Sequence, residues 1–199
     1  MTHMNDIQLL LEGISHIKDI TPVDLLQLTQ LATRRELAPG AVYIPEGASS
    51  RQLAFIEKGI IRTYAVKENG DEATLLLRWE GQFIASHDTI ILNRPSRFIY
   101  RAVEPVTLQE IDYGALERVM SEQPRLEPLR TFFLKKMLAE SLDLIASFVL
   151  LSPEERYLKL VAEKADIVSR VPGKYIASLL GVTPVSLSRI RKRISQHKD

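Results

Sequence analysis

Five cations, Arg189, Arg191, Lys192, Arg193 and Lys198, crowd into the last eleven residues of this chain. Cations at that density on one terminal helix are suited to the phosphates of a nucleic acid. The net charge of the whole chain is only +1, so the excess is a matter of placement. Residues 1–150 carry 16 Lys and Arg against 20 Asp and Glu, a net −4, whereas residues 151–199 carry 10 against 5, a net +5. Charge alone also admits a plainer account, in which solvated cations favour the negative end of a helix. Other chemistries find less material. With no cysteine, disulfides, thiolate metal sites, Cys-ligated clusters and a Cys nucleophile are excluded, and sulfur redox sensing would have to use methionine. A cupin-like metalloenzyme needs clustered ligands, but His3, His16, His87 and His197 are scattered with no His-x-His pair. There is no Walker loop, no Gly-x-Ser-x-Gly and no nucleophile–base pair, so no catalysis and no metal are expected.

The residues around the cations say what could position them. Ile176 and Leu180 give a first short helix its apolar side, Ala177 is small where two helices cross, and Gly181 can take the left-handed conformation that ends a helix. Thr183 is suited to cap a second helix with Pro184 at its first position. In that helix Leu187, Ile190 and Ile194 form one stripe, while Val185, Arg189 and Lys192 form the opposite one. A helix-turn-helix requires this arrangement: one face packs on the first helix and the other enters the major groove. Double-stranded DNA is the partner it implies, and a generic helical hairpin is the alternative.

Upstream, Ser152-Pro153-Glu154-Glu155 combines an N-cap, a proline at the first helical position and acids in the first turn, ahead of a core face of Tyr157, Leu158, Val161 and Ala165. Before it, more than twenty residues after Pro124 and Pro128 contain no Gly or Pro, and Leu134, Met137, Ser141, Leu144, Phe148 and Leu151 alternate at three and four. That seam predicts a helix pairing two subunits; a helix packed on its own β domain is the other reading. Ser141 is its one polar member, either a register device or part of a ligand site. From about Ala38, short apolar stretches at 41–44, 53–57, 60–67, 72–79, 98–102 and 106–111 are punctuated by turn pairs such as Lys58-Gly59 and Glu80-Gly81. This spacing predicts an antiparallel sandwich or barrel. Asn69-Gly70 marks a hairpin with a tight turn that needs positive φ at both central residues. Residues 5–35 read as helical, with Ile7, Leu10, Leu11 and Ile14 recurring and Thr21-Pro22 opening a second helix through Leu25, Leu28 and Leu31. No apolar run reaches a membrane span, and the N-terminus lacks a signal peptide's basic start, so a cytoplasmic protein without membrane contact is expected.

Taken in order, these segments resemble the Crp/Fnr family of transcription regulators. The resemblance is carried by the Gly-marked β-roll, Gly81-Gln82-Phe83-Ile84, the long helix, Glu155-Arg156 and the helix-turn-helix. It implies an α+β protein: a cyclic-nucleotide-binding-type β-roll at 1–124, a dimerisation helix at 125–151 and an all-α helix-turn-helix domain at 152–199, winged-helix-like with little or no wing. It further implies a homodimer reading a palindromic operator, with RNA polymerase as a further partner. The family's base-contacting positions fall on Pro184, Val185 and Arg189, and Thr183, Ser186, Ser188 and Lys192 are placed for phosphates; Lys174 completes the expected DNA-binding set. Members usually carry Arg or Glu where this chain has Pro184 and Val185, so the family's usual site does not carry over.

The sensor segment departs further. Cyclic nucleotide binders of the family hold the ribose with a Gly-Glu pair and the phosphate with an Arg-Ser pair; an ungapped count puts Ala85-Ser86 and Ser96-Arg97 there. The ribose carboxylate is absent, and Arg97 is shifted by one step, which in an extended segment turns it to the other face. Ser141 falls where the family has a hydroxyl that meets the base. The expectation is a degenerate domain not controlled by cyclic AMP in the usual way, with no cofactor and with a different small effector or none. Ser86, His87, Arg97, Arg101 and Ser141 are its candidate lining.

Overall fold

The computed structural model describes residues 21–196. Two compact units emerge, one of residues up to Thr63 with Arg78–Leu138, the other of Tyr64–Leu77 with residues from Ala139 on. The fold is α+β, as expected: eight antiparallel strands in two four-stranded sheets, a long helix and a set of C-terminal helices.

In the first unit, helix α1 (Pro22–Gln30) starts at a capping box in which Thr21 and Asp24 satisfy each other's backbone N–H. Strands β1 (Thr33–Leu37), β2 (Val42–Ile44), β3 (Gln52–Lys58), β4 (Ile61–Val66), β5 (Glu72–Arg78), β6 (Phe83–Ala85), β7 (Ile99–Ala102) and β8 (Val106–Asp112) follow in the chain, residues 64–77 of β4 and β5 belonging to the second unit, with the short helix α2 (His87–Ile90) between β6 and β7. One sheet runs β1-β8-β3-β6 and the other β2-β7-β4-β5. Their inner faces bury Ile44, Ala54, Ile56, Ile61, Ala102 and Leu108, a set that the period-two alternation of each strand turns to one side. Gly59, between β3 and β4, has φ +94, and a Cβ there would run into the Pro105 carbonyl; only glycine fits the turn. Helix α3 (Tyr113–Glu122), a 3-10 turn (Pro124–Leu126) and the start of helix α4 (Glu127–Leu150) close a second cluster around Leu28, Leu116, Met120, Leu126 and Leu129.

Two expectations need correction here. Residues 33–35 are strand, not helix, because the β8 ladder pairs Thr33–Leu37 from end to end; the part of the predicted helices before residue 21 lies outside the described residues. The hairpin at Asn69-Gly70 exists, but its loop spans residues 67–71 and only Gly70 has positive φ, at 84°. Lys67 and Asp71 close it through a 2.8 Å backbone bond, and the Asn69 side chain accepts from the Asp71 N–H at 3.1 Å. That side-chain bond is the local turn-forming contact an Asn makes with the backbone two residues on, and Asn69 lies outside the left-handed region.

The second unit holds this hairpin, the remainder of α4, α5 (Pro153–Glu163), α6 (Ile167–Arg170), α7 (Gly173–Leu179) and α8 (Pro184–Gln196). The Ser152–Glu155 capping box starts α5 as the sequence predicts, and Ser152's bonds hold the Glu155 carboxyl below the usual carboxylate range. The core face of α5 is one step away from the expected one: Tyr157 and Leu160 are buried, Val161 is half-buried, Leu158 is 45% exposed and Ala165 is exposed. A helix with apolar residues at both 158 and 160 can bury either, and Leu160 shares Tyr157's side at i+3. Ser178 of α7 accepts from the Thr74 N–H at 2.9 Å and donates to the Glu72 carbonyl at 3.1 Å, fastening β5 to the helix by a side chain.

Candidate nucleic-acid interface and sensor segment

The interface candidate is built on the α7–α8 pair. Ile176, Ala177, Leu180, Leu187 and Ile190 are buried between the helices, and Gly181 turns the chain at φ +70. The positive φ favours glycine at Gly181, and a Cβ there would sit 3.2 Å from the Phe148 ring, which would have to shift by a few tenths of an ångström. The Thr183 hydroxyl accepts from the Ser186 N–H at 3.1 Å and lies 3.0 Å from the Ser186 hydroxyl, capping α8. Its outer stripe is open: Val185 is 62% exposed, and Pro184, Ser188, Arg189 and Lys192 are exposed beside it. Ser186 is half-buried at the cap, and Lys174 is exposed at the start of α7, its ammonium 5.1 Å from the Tyr175 ring centroid. The eight residues read as the DNA-binding set thus fall on α7, the turn and α8.

The five cations of the tail divide. Arg193 pairs with Glu154 at 2.9 Å, and Arg191 lies over the Tyr157 ring at 5.7 Å with Nε and Nη2 shielded from solvent. Both bind α8 to α5. Arg189 and Lys192 are the ones turned outward, while Lys198 lies beyond the described residues. Arg156, read only as half of a motif, fastens the unit: its two terminal nitrogens donate to the carbonyls of Leu151 (2.6 Å) and Leu180 (2.9 Å), and its guanidinium covers the Phe148 ring at 4.6 Å. Those carbonyls close α4 and α7, where no intrahelical partner exists. No spacing announces this role.

On α4 the apolar residues left exposed are Leu134, Leu138, Leu142, Ile145, Phe148, Val149 and Leu150. Of the expected seam, Leu134 and Phe148 are among them, Ser141 is exposed, and Met137, Leu144 and Leu151 are half-buried. The exposed residues Leu134, Leu138, Leu142, Ile145 and Val149 make their own stripe at spacings of four and three.

Of the sensor candidates in the first unit, Arg97 is held by a residue that the sequence pattern does not single out. Asp88 on α2 is a buried carboxylate, 2% exposed in its side chain. Arg97 donates to it from Nε at 3.0 and 3.1 Å and from its backbone N–H at 3.0 Å, with Nη2 in ion-pair contact at 3.0 Å; Arg94 adds bonds from Nε at 3.1 Å and Nη2 at 2.9 Å. Led by the Arg97 bonds, these hold the Asp88 carboxyl down to about 2, and raise the Arg97 guanidinium above its usual value. Ser86 is fully buried and caps α2, accepting from the Thr89 N–H and hydroxyl at 3.4 and 3.1 Å. Burial pushes the Tyr100 phenol up to about 12, although bonds with Ser86 and Ser96 work in the other direction. His87 sits on α2, Arg101 is half-buried on β7, and Ser141 belongs to the part of α4 in the second unit. Among the described residues, no group of three His, Cys, Asp or Glu is placed to hold a metal, and no helix is long and apolar enough to cross a membrane.

With this geometry in view, residues 34–123 match the family of the cyclic nucleotide-binding domain. No curated protein sequence matches the chain. Solved structures do. The chain is similar to the global regulator CLP of Xanthomonas campestris, described as responsive to c-di-GMP, at 17% identity and TM-score 0.66, covering 87% of this chain and 91% of that one. It is similar to FixK2 of Bradyrhizobium japonicum at 14% identity and TM-score 0.69, over 84% and 86% of the two chains. The catabolite activator protein of Thermus thermophilus follows at 16% identity and TM-score 0.54, over 94% and 88%. Residues 34–123 thus match the cyclic nucleotide-binding domain family, and the chain shares the fold of these three solved structures.

Proposed function

We propose that the protein is a homodimeric, sequence-specific DNA-binding regulator of transcription, acting in the cytoplasm on a palindromic operator. The observation that carries this reading is the outer stripe of α8, where Val185, Arg189 and Lys192 stand exposed on a helix whose other side is buried against α7. Arg189 can bond a guanine bidentately, Val185 can meet a thymine methyl, and Lys192, Lys174 and the hydroxyls of Thr183, Ser186 and Ser188 serve the backbone phosphates. Two copies would read half-sites about one helical turn apart. RNA polymerase is the further partner through which such a dimer would act.

The exposed stripe Leu134, Leu138, Leu142, Ile145 and Val149 supports pairing through α4, with the seam turned about 80° round the helix from the one the sequence pattern suggests. Ile145→Glu would bury a charge in that seam and leave monomers in sedimentation, whereas Leu144→Glu would leave the dimer. The reverse outcome would restore the seam through Leu144. Selection from randomised duplex DNA at a stated salt concentration, without added effector, tests the whole reading. Enrichment of a palindrome is expected; enrichment of no sequence by a folded dimer would turn the reading toward a module acting through protein partners.

A further inference from the structure

Residues 86–98 contain an anion and the machinery for holding an anion in one place. Two guanidinium forks converge on the Asp88 carboxylate, and the Arg97 backbone N–H completes its shell. The carboxylate is 2% exposed, whereas the Arg94 and Arg97 side chains are 47% and 60% exposed. The cations therefore close over the anion from the solvent side, as they would over an oxyanion arriving from solution. Planar guanidiniums bind carboxylate and phosphate through the same paired geometry. The hydroxyls lining the segment are occupied as well: Ser96 donates to the Phe98 carbonyl at 2.8 Å and accepts from its N–H at 3.2 Å, while Ser86 is engaged by Thr89.

We infer that Asp88 is an internal ligand in the anion position of this segment, and that the β-roll takes up no phosphate-bearing small molecule while Asp88 is in place. Two costs enforce the exclusion. A tethered carboxylate competes at an effective concentration far above that of a free metabolite. An entering phosphate would also leave Asp88 buried without its partners, the outcome that makes breaking a buried ion pair expensive. Asp88 is on this account the residue that sets the sensor's selectivity against anionic effectors. The inference does not rest on DNA binding, and either can fail alone.

The test is a calorimetric titration of the full-length protein and of Asp88→Asn with 3′,5′-cyclic AMP and with inorganic phosphate, at constant ionic strength, alongside thermal melts in phosphate and in chloride. The wild type should give no binding heat to millimolar concentration and the same Tm in both salts. Asp88→Asn keeps the side chain's shape and removes its charge, so it should bind phosphate at least about tenfold more tightly than the wild type, melt higher in phosphate than in chloride, and lose both gains when Arg97→Gln is added. If Asp88→Asn does not fold in chloride, phosphate should restore its fold. Binding of either probe by the wild type, a folded Asp88→Asn with no gain in phosphate binding, or an unfolded one that phosphate does not rescue would overturn the inference.

Discussion

Helix α8 and residues 86–98 both concentrate arginine, and they use it in opposite ways. On α8, Arg191 and Arg193 are spent on Tyr157 and Glu154, and this fixes the helix so that Arg189 and Lys192 face outward, with no ion pair to an acid among the described residues. Around α2, Arg94 and Arg97 are the more solvent-exposed partners, yet both are committed to Asp88. An arginine is therefore available to a partner according to whether a neighbouring carboxylate or ring claims it, and exposure alone does not decide this. The difference also assigns tasks: the first arrangement leaves charge for a polyanion, the second cancels it within the fold.

Removing the claimants should separate the two regions most sharply. Replacing both Arg94 and Arg97 by Ala strands a buried carboxylate and should lower the urea midpoint clearly. An unchanged midpoint would mean that solvent reaches Asp88 freely and that the contrast is false. Next in size, Arg189→Ala should weaken specific DNA binding by about 1 to 3 kcal/mol and relax one base position, while leaving the urea midpoint in place. Unaltered selectivity would remove Arg189 from the reading set. A smaller effect sharpens the division within α8: Lys192→Gln should lower the slope of log affinity against log salt by about one, and Arg193→Gln should leave that slope nearly unchanged because Glu154 already neutralises it. Equal slopes for the two would show that Arg193 also faces phosphate.

Acid provides the mildest probe of the claimed cations. The Asp88 carboxyl titrates near 2 in the folded protein against an ordinary 3.8, so its contribution to stability is whole above the higher value and is lost as pH falls through the lower. The wild type should therefore shed stability between about pH 4 and pH 2 in a step that Asp88→Asn lacks. An identical acid profile for the two proteins would take Asp88 out of the pair.

Much of the architecture was legible before any coordinates. Alternating strands, Gly-marked turns, the Ser152 cap and the Thr183–Pro184 start of α8 are local, because capping, turn and period-two preferences act within a few residues. Strand β1 and the face of α5 were misread for a shared reason: Thr33–Leu37 is exposed over most of its length and is strand only because β8 pairs with it, and Leu158 and Leu160 compete for burial that the neighbouring helices decide. The candidate site divides in the same manner. The outward stripe of α8 follows from helical spacing, while Asp88, separated from Arg97 by a loop, carries no sequence signal at all.

By itself, then, the sequence determined most element types, the two-part charge distribution, the helix-turn-helix offsets and the absence of thiol chemistry, since each depends on residue identity and short-range spacing. Tertiary structure alone decided which cations remain free, which stripe of α4 stays uncovered and which carboxylate closes over Arg94 and Arg97. Those outcomes depend on where distant segments meet, and a guanidinium's partner is chosen by proximity in space, across strands, helices and loops that no local period connects.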